Sequence, residues 1–372
     1  MNDQSVSLCD LAPAHIREIL PYVPGKPIEE TARELGLDPA KIVKLASNEN
    51  PLGSSPKALE AIRAALDTLN FYPDGNGFEL KKVISRRFKV APEQVILGNG
   101  SNDVLELVAR TFLTDRDSAV YSKHAFMVYP LVVQAVGARG IEVPSRGYSN
   151  DLGAMAAAVE GDTKVVFLAN PNNPTGTFEP WAEVKRFIES IPKRVIVVID
   201  EAYGEYLPAE LRAETLPWIE RHPNLIVSRT LSKAYGLAGL RVGFGVGNPE
   251  LIALMNRVRQ PFNVNQLALA AAGAALEDFE FLEKSFQVNR DGLAQLTEGF
   301  RRLGLEWIPS FGNFVCVKLA DAPRVYQFLL KRGIIVRPIA GYGMPEFLRV
   351  TVGLAGQNAA FLAGLEAALA SP

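Results

Sequence analysis

Six short segments of almost unbroken apolar character limit what this chain can fold into: Val95-Ile-Leu97, Ala119-Val-Tyr121, Val165-Val-Phe-Leu168, Val195-Ile-Val-Val-Ile199, Leu225-Ile-Val227 and Val242-Gly-Phe-Gly-Val246. A strand with one wet face alternates apolar and polar residues. A run that is apolar at nearly every position suits burial on both faces, the condition inside a mostly parallel sheet covered by helices. Helical patterns separate the runs. Leu105, Val108, Ala109 and Phe112 recur at the spacing of one helix face, and Leu59, Ile62, Leu66 and Leu69 do much the same. Alternation of this kind predicts an α/β architecture with right-handed crossovers.

The ends of the chain read differently. Residues 1 to about 45 carry Pro13, Pro21, Pro24 and Pro27 and suggest an extended arm with short helices. After Pro261 an Ala-rich helical stretch is expected to run to about Arg302. Beyond it Asn313–Leu319, Ile334–Arg337 and Phe347–Val352 alternate with helical segments, as in a second, smaller α/β unit. The expected organisation is 1–45 as an arm and part of the small domain, 46–262 as the large domain, and 263–372 as the small C-terminal domain.

Charge excludes some functions. Of 372 residues, 39 are Lys or Arg and 41 Asp or Glu, and the cations are scattered rather than massed. No nucleic-acid footprint or polybasic membrane patch follows from that pattern. Cys9 and Cys316 cannot build a disulfide framework, and His15, His124 and His222 lack zinc-ligand spacing, so no metal is expected. The leading residues Met1–Ser7 show no basic-then-apolar leader pattern, and Leu267–Leu276 is too short to span a bilayer. These features point to a cytoplasmic protein.

In open parallel sheets, ligands bind beyond the carboxyl ends of the strands. Three of the apolar runs end in polar clusters. The first is Asp200-Glu-Ala-Tyr203, whose acid either faces the crevice or caps the next helix. The second is Asn170-Pro-Asn-Asn-Pro-Thr-Gly176, a rigid turn in which a cis Asn173-Pro174 bond is expected; it is either plain turn chemistry or a ligand loop. The third is Gly98-Asn-Gly-Ser-Asn-Asp103, half of a dinucleotide fingerprint, with Asp103 where the third glycine belongs. Such a turn before a helix leaves amide N–H groups free for a phosphate. A fourth segment, Ser228-Arg-Thr-Leu-Ser-Lys-Ala-Tyr-Gly-Leu-Ala-Gly-Leu-Arg241, surrounds Lys233 with hydroxyls and an arginine. It is either a solvated turn or a carbonyl-reactive lysine beside a phosphate site.

Pyridoxal phosphate would unify these parts. It needs a lysine for its aldehyde, an acid opposite the ring nitrogen, a phosphate cup and an aromatic plane. Lys233, Asp200, the Gly100-Ser101-Asn102 turn with Arg241, and Phe126 would fill those roles.

Asn173-Pro-Thr-Gly176, Asp200-Glu-Ala-Tyr203 and Thr230-Leu-Ser-Lys233 with Arg241 resemble the signature of fold-type I aminotransferases. Tyr22-Val-Pro-Gly-Lys-Pro27, Leu45-Ala-Ser-Asn-Glu-Asn-Pro-Leu-Gly53, Tyr72-Pro-Asp-Gly-Asn-Gly77 and Arg229-Thr-Leu-Ser-Lys-Ala234 narrow the resemblance to the histidinol-phosphate aminotransferase family, from about residue 11 onward. That resemblance implies the fold-type I architecture, a mostly parallel seven-stranded sheet in a large domain plus a smaller α/β domain. It also implies that Lys233 carries the cofactor as a Schiff base and later moves the substrate proton. Asp200 would pair with the ring nitrogen, Asn173 and Tyr203 would donate to the ring 3-oxygen, and Phe126 would stack on the ring. Gly100, Ser101, Asn102, Thr230, Ser232 and Arg241 would form the phosphate cup, joined by Tyr72 from a neighbouring subunit of a homodimer with shared sites. Tyr22, Arg337 and Arg349 would hold the substrates: a small-molecule amino donor, glutamate, and a phosphorylated keto acceptor, imidazole-acetol phosphate. The same cofactor motifs also suit an aromatic amino acid aminotransferase or a decarboxylase of a phosphorylated amino acid. From other classes, a nicotinamide dehydrogenase would rest on Gly98-Asn-Gly100 alone. A transcriptional regulator would need a basic helix-turn-helix domain that the first forty or so residues do not supply.

Overall fold

The computed structural model describes residues 7–22 and 24–371. Most of the leading segment, Met1–Val6, and Val23 within the Tyr22–Pro27 motif lie outside them. The chain forms a short strand β1 (Val43–Lys44), then seven strands of one sheet: β2 (Val95–Gly98), β3 (Ser118–Ser122), β4 (Arg139–Val143), β5 (Thr163–Ala169), β6 (Ile196–Asp200), β7 (Leu225–Thr230) and β8 (Gly243–Gly247). Their order is β2-β8-β7-β6-β5-β3-β4. β8 runs antiparallel to both its neighbours, and every other adjacent pair is parallel.

All six apolar runs are strands of this sheet. Alternate residues enter opposite cores: Val166, Leu168, Val197, Ile199 and Val227 pack on one face, and Val165, Phe167, Val198 and Ile226 on the other. Full burial of each such side chain is worth about 1.5–3 kcal/mol, which is why the runs carry no polar face. The seventh strand, β4, has no such run. It sits at the sheet edge, and its Arg139, Gly140 and Glu142 are exposed.

The second unit contains β9 (Trp307–Ile308), β10 (Phe314–Lys318), β11 (Ile334–Ile335), β12 (Arg337–Pro338) and β13 (Phe347–Thr351). An antiparallel sheet has the order β12-β13-β10-β9, while β1 pairs in parallel with β11. The segment Ile334–Arg337 is therefore two strands of two sheets. Leu45, next to β1, shares a core with Val315, Val317, Val350, Phe300 and Phe361.

Two helical readings are corrected. The stretch after Pro261 is two helices, Gln266–Leu276 and Phe279–Arg302, separated at Asp278, whose side chain accepts from the Phe281 N–H and starts the second. Ala268, Ala271, Ala272 and Ala275 of the first pack into the large-sheet core, so this helix lies with the large unit although it follows residue 262. The stripe Leu59, Ile62, Leu66, Leu69 is not one buried face. The helix Pro56–Ala65 turns into a 3₁₀ turn at Leu66–Thr68, which breaks the period. Ala58 is buried, while Leu59, Leu66 and Leu69 are exposed.

Candidate active site

The carboxyl ends of β5, β6 and β7 deliver Asn173, Asp200 and Thr230 to one side of the sheet. There, with residues of the arm and of the small sheet, they line a cavity of about 180 Å³. It also contains Tyr22, Ser101, Asn102, Phe126, Tyr203, Ser232, Lys233, Arg241, Arg337 and Arg349. It shares Tyr22, Gly25, Arg337 and Tyr342 with a larger groove of about 710 Å³ between the arm and the small unit.

Asp200 is the last residue of β6 and is buried. It caps no helix. Its Oδ2 accepts from the Tyr129 hydroxyl at 3.1 Å, while Oδ1 is buried without a partner among the described residues. Burial pushes its carboxyl up to about 6, against the opposing pull of the Tyr129 hydroxyl and the Ala202 N–H. A buried carboxylate oxygen left open calls for a donor, and a protonated ring nitrogen is such a donor.

Lys233 follows the β7 end. Its Nζ donates to the Ser47 carbonyl at 3.3 Å. Burial first, then the neighbouring charges of Arg349 and Arg241, pulls the amine down to about 8. An amine so shifted loses its proton more readily, as carbonyl addition requires.

Opposite lies the cup. Gly100 precedes the helix Ser101–Phe112 with φ +85°. A Cβ there would sit 2.5 Å from Arg241 Nη2, so only glycine lets the guanidinium come this close to the helix start. Arg241 itself is left-handed, φ 57°, and donates to the Ser232 hydroxyl at 3.3 Å and the Ala238 carbonyl at 2.9 Å. The Thr230 hydroxyl accepts from the Ser232 N–H at 3.1 Å. A helix N-terminus, a guanidinium and two hydroxyls together suit a phosphate dianion. Asp103, in the third-glycine place, accepts from the Asn99 N–H and from Asn263 Nδ2, which closes the loop and ends the dinucleotide analogy.

The far wall carries Arg349 of β13, which is buried. Nη1 donates to Asn173 Oδ1 at 2.6 Å and Nη2 to the Ala46 carbonyl at 3.1 Å; Nε has no partner among the described residues. Arg337 of β12 is its direct cross-strand partner. The Arg337 guanidinium lies 5.6 Å from the centre of the Tyr22 ring.

The class I and II aminotransferase family model matches residues 40–365. The chain belongs to that family. It is 59% identical to histidinol-phosphate aminotransferase of Methylobacillus flagellatus, over 96% of this chain and 97% of that protein. To histidinol-phosphate aminotransferase 2 of Nitrosospira multiformis it is 57% identical, over 98% and 93%. The crystal structure of the Sinorhizobium meliloti histidinol-phosphate aminotransferase, in complex with pyridoxal 5'-phosphate, superposes with a TM-score of 0.88 at 28% identity, covering 96% of this chain and 97% of that one.

Two expected site residues of this aminotransferase stand apart from its cavity. Gly100 sits behind the cup, as described. Tyr72 is 83% exposed and stacks on Phe262 at 4.8 Å, so its own chain does not bring it to the site. The turn Asn170–Gly176 has cis bonds at both Asn170-Pro171 and Asn173-Pro174. Sequence reasoning passed over Tyr129, one helical turn after Phe126, and Asn48, whose Nδ2 donates to Tyr203 Oη at 2.9 Å. It also passed over Ala202 and Tyr342. Among the described residues no group of His, Cys, Asp or Glu is placed to hold a metal ion, and no helix is long and apolar enough to cross a membrane.

Proposed function

We propose that this aminotransferase moves the amino group of L-glutamate to imidazole-acetol phosphate, giving 2-oxoglutarate and L-histidinol phosphate for histidine biosynthesis, with pyridoxal phosphate as cofactor. The observation that carries the reading is the Arg337–Arg349 pair, two arginines at paired positions of β12 and β13 that both line the cavity of Lys233. A guanidinium offers a fork of donors that fits a carboxylate and a phosphate alike: a carboxylate from the donor, a phosphate from the acceptor. The names of the relatives supply the particular substrates.

Bound pyridoxal phosphate supplies an aldehyde for the amino group and a protonated ring that draws electrons from the substrate α carbon. The chain's own residues do the rest. Asp200 would hold the proton on the ring nitrogen, with Tyr129 fixing its Oδ2. Phe126 and Ala202, which line the cavity, would confine the ring. Asn173, with Oδ1 engaged by Arg349, has its Nδ2 turned away to serve as a donor. Lys233 Nζ carries the substrate proton, a task suited to a group that titrates near 8. Arg349 takes the donor carboxylate and Arg337 is the second anion clamp, with Tyr22 at the mouth.

The site is also proposed to be shared within a homodimer. Phe71, Tyr72, Phe78 and Phe262 are exposed, an amount of aromatic surface that a second copy would cover while placing Tyr72 at the neighbouring cup. A cytoplasmic location agrees with Cys9 and Cys316 being unpaired.

Stopped-flow half-reactions with histidinol phosphate and with phenylalanine test the substrate assignment. The expected kcat/KM favours histidinol phosphate. A preference of several hundredfold for phenylalanine, roughly 3–4 kcal/mol in transition-state binding, would make the protein an aromatic aminotransferase instead.

A further inference from the structure

The hydroxyl of Tyr203 is the end of a hydrogen-bond chain that has a direction. The backbone N–H of Asn48 donates to Thr351 Oγ1 at 2.9 Å. That hydroxyl, already accepting, donates to Asn48 Oδ1 at 3.1 Å. With its oxygen so engaged, the Asn48 amide presents Nδ2 to Tyr203 Oη at 2.9 Å. All three residues are buried: Asn48 is 1% exposed, Tyr203 3% and Thr351 4%. In such surroundings each donor needs an acceptor, and a misdirected one is left unpaired.

A phenol that accepts from an amide must send its own proton elsewhere. Tyr203 lines the cavity with Asn173 and Lys233. We infer that Asn48 and Thr351 are positioning residues, which aim the Tyr203 proton into the cavity and so make it a donor to the ring oxygen of the bound cofactor. The inference rests on the cofactor reading above. It adds a second tie between the small sheet and the ring donors. Thr351 and Arg349 are two residues apart on β13 and so share a face. One orients Tyr203 through Asn48, and the other orients Asn173 directly.

The test is an absorbance–pH titration of the pyridoxal-phosphate-loaded enzyme and four variants: Asn48→Asp, Thr351→Val, Thr351→Ser and Tyr203→Phe. A ring oxygen that loses a donor keeps more negative charge and holds the neighbouring chromophore proton more firmly, so its pKa rises. In Asn48→Asp the introduced carboxylate takes the Tyr203 proton for itself, and the chromophore pKa rises by about one unit or more. Thr351→Val releases the amide and gives a smaller rise in the same direction, while Thr351→Ser titrates as wild type. In a Tyr203→Phe background, Asn48→Asp adds nothing, because its effect passes through the phenol. Asn48→Asp and Thr351→Val proteins that take up cofactor yet titrate at the wild-type pKa would overturn the inference. So would an undiminished Asn48→Asp shift in the Tyr203→Phe background, which would mark a general charge effect. A wild-type enzyme that binds no pyridoxal phosphate would instead sink the cofactor reading, and this inference with it.

Discussion

The cavity has two walls, and they hold their polar groups differently. On the side of the large sheet, Asn173, Asp200 and Thr230 stand at or just beyond the ends of three adjacent strands that are buried at all but Lys164 and Arg229. Lys233 follows within three residues of the last. On the other side, Arg337 lies on a two-residue strand and Tyr22, about half exposed, on the arm. Arg349 bridges the two, but its partners are neutral oxygens of Asn173 and Ala46. The first wall is fixed in place before any ligand arrives. The second presents guanidinium groups that suit an anion. Chemistry common to a whole family belongs on the fixed wall, and choice of substrate on the adaptable one.

The sharpest way to break this comparison is at Lys233. Lys233→Ala removes both the carbonyl-reactive amine and the proton carrier, and transamination should fall by about 10⁴-fold or more in single-turnover assays. A residual rate within tenfold of wild type would mean that the fixed wall does not house the chemistry. Arg349→Ala strikes the junction of the walls. It should lower kcat/KM for the amino donor about 10²–10³-fold, because the carboxylate loses its fork and Asn173 its anchor. Unchanged rates in both half-reactions would remove Arg349 from the site.

Asp200 offers a test without cofactor. In the fold it titrates near 6, against about 3.9 in an unfolded chain. Between those values the folded state holds the extra proton, so this group's contribution to stability falls as pH rises from about 4 to about 6. The loss is on the order of 3 kcal/mol and persists at higher pH. Urea midpoints of the cofactor-free protein should therefore show a decline over that window that Asp200→Asn lacks. Identical pH profiles for the two proteins would contradict the buried, open carboxylate. The smallest effect is expected at Tyr72, outside both walls of its own chain. Tyr72→Phe should weaken cofactor binding by about tenfold, one hydrogen bond's worth. Mixing it with Lys233→Ala subunits should redistribute that defect if the tyrosine acts across a dimer; a defect that stays with its own subunit would rule out the shared site.

The same contrast explains what was legible in the sequence. Strands buried on both faces print continuous apolar runs, and the polar residue after each run is bound to lie at the sheet edge, so Asp200 and the Asn173 turn could be read directly. β4 left no mark, since Arg139 and Glu142 at an exposed edge look like loop. Tyr129 was hidden for the opposite reason. It sits in the apolar helix Val128–Ala135, fully buried, where a tyrosine reads as core until its hydroxyl is seen against Asp200. Asn48 was invisible because its partners, Tyr203 and Thr351, are 155 and 303 residues away. The Leu59–Leu69 stripe misled because periodicity reports an apolar face without saying which surface covers it.

The pairing of β1 with β11 has a consequence for how the chain is made. Val43 finds its strand partner only at Ile334, roughly 290 residues later, and ribosomes add about 5–20 residues each second. The nascent chain must therefore carry Leu45 and its neighbours without their sheet for roughly 15–60 s. During that time the large sheet can close, and the small unit waits for the last part of the message to be read.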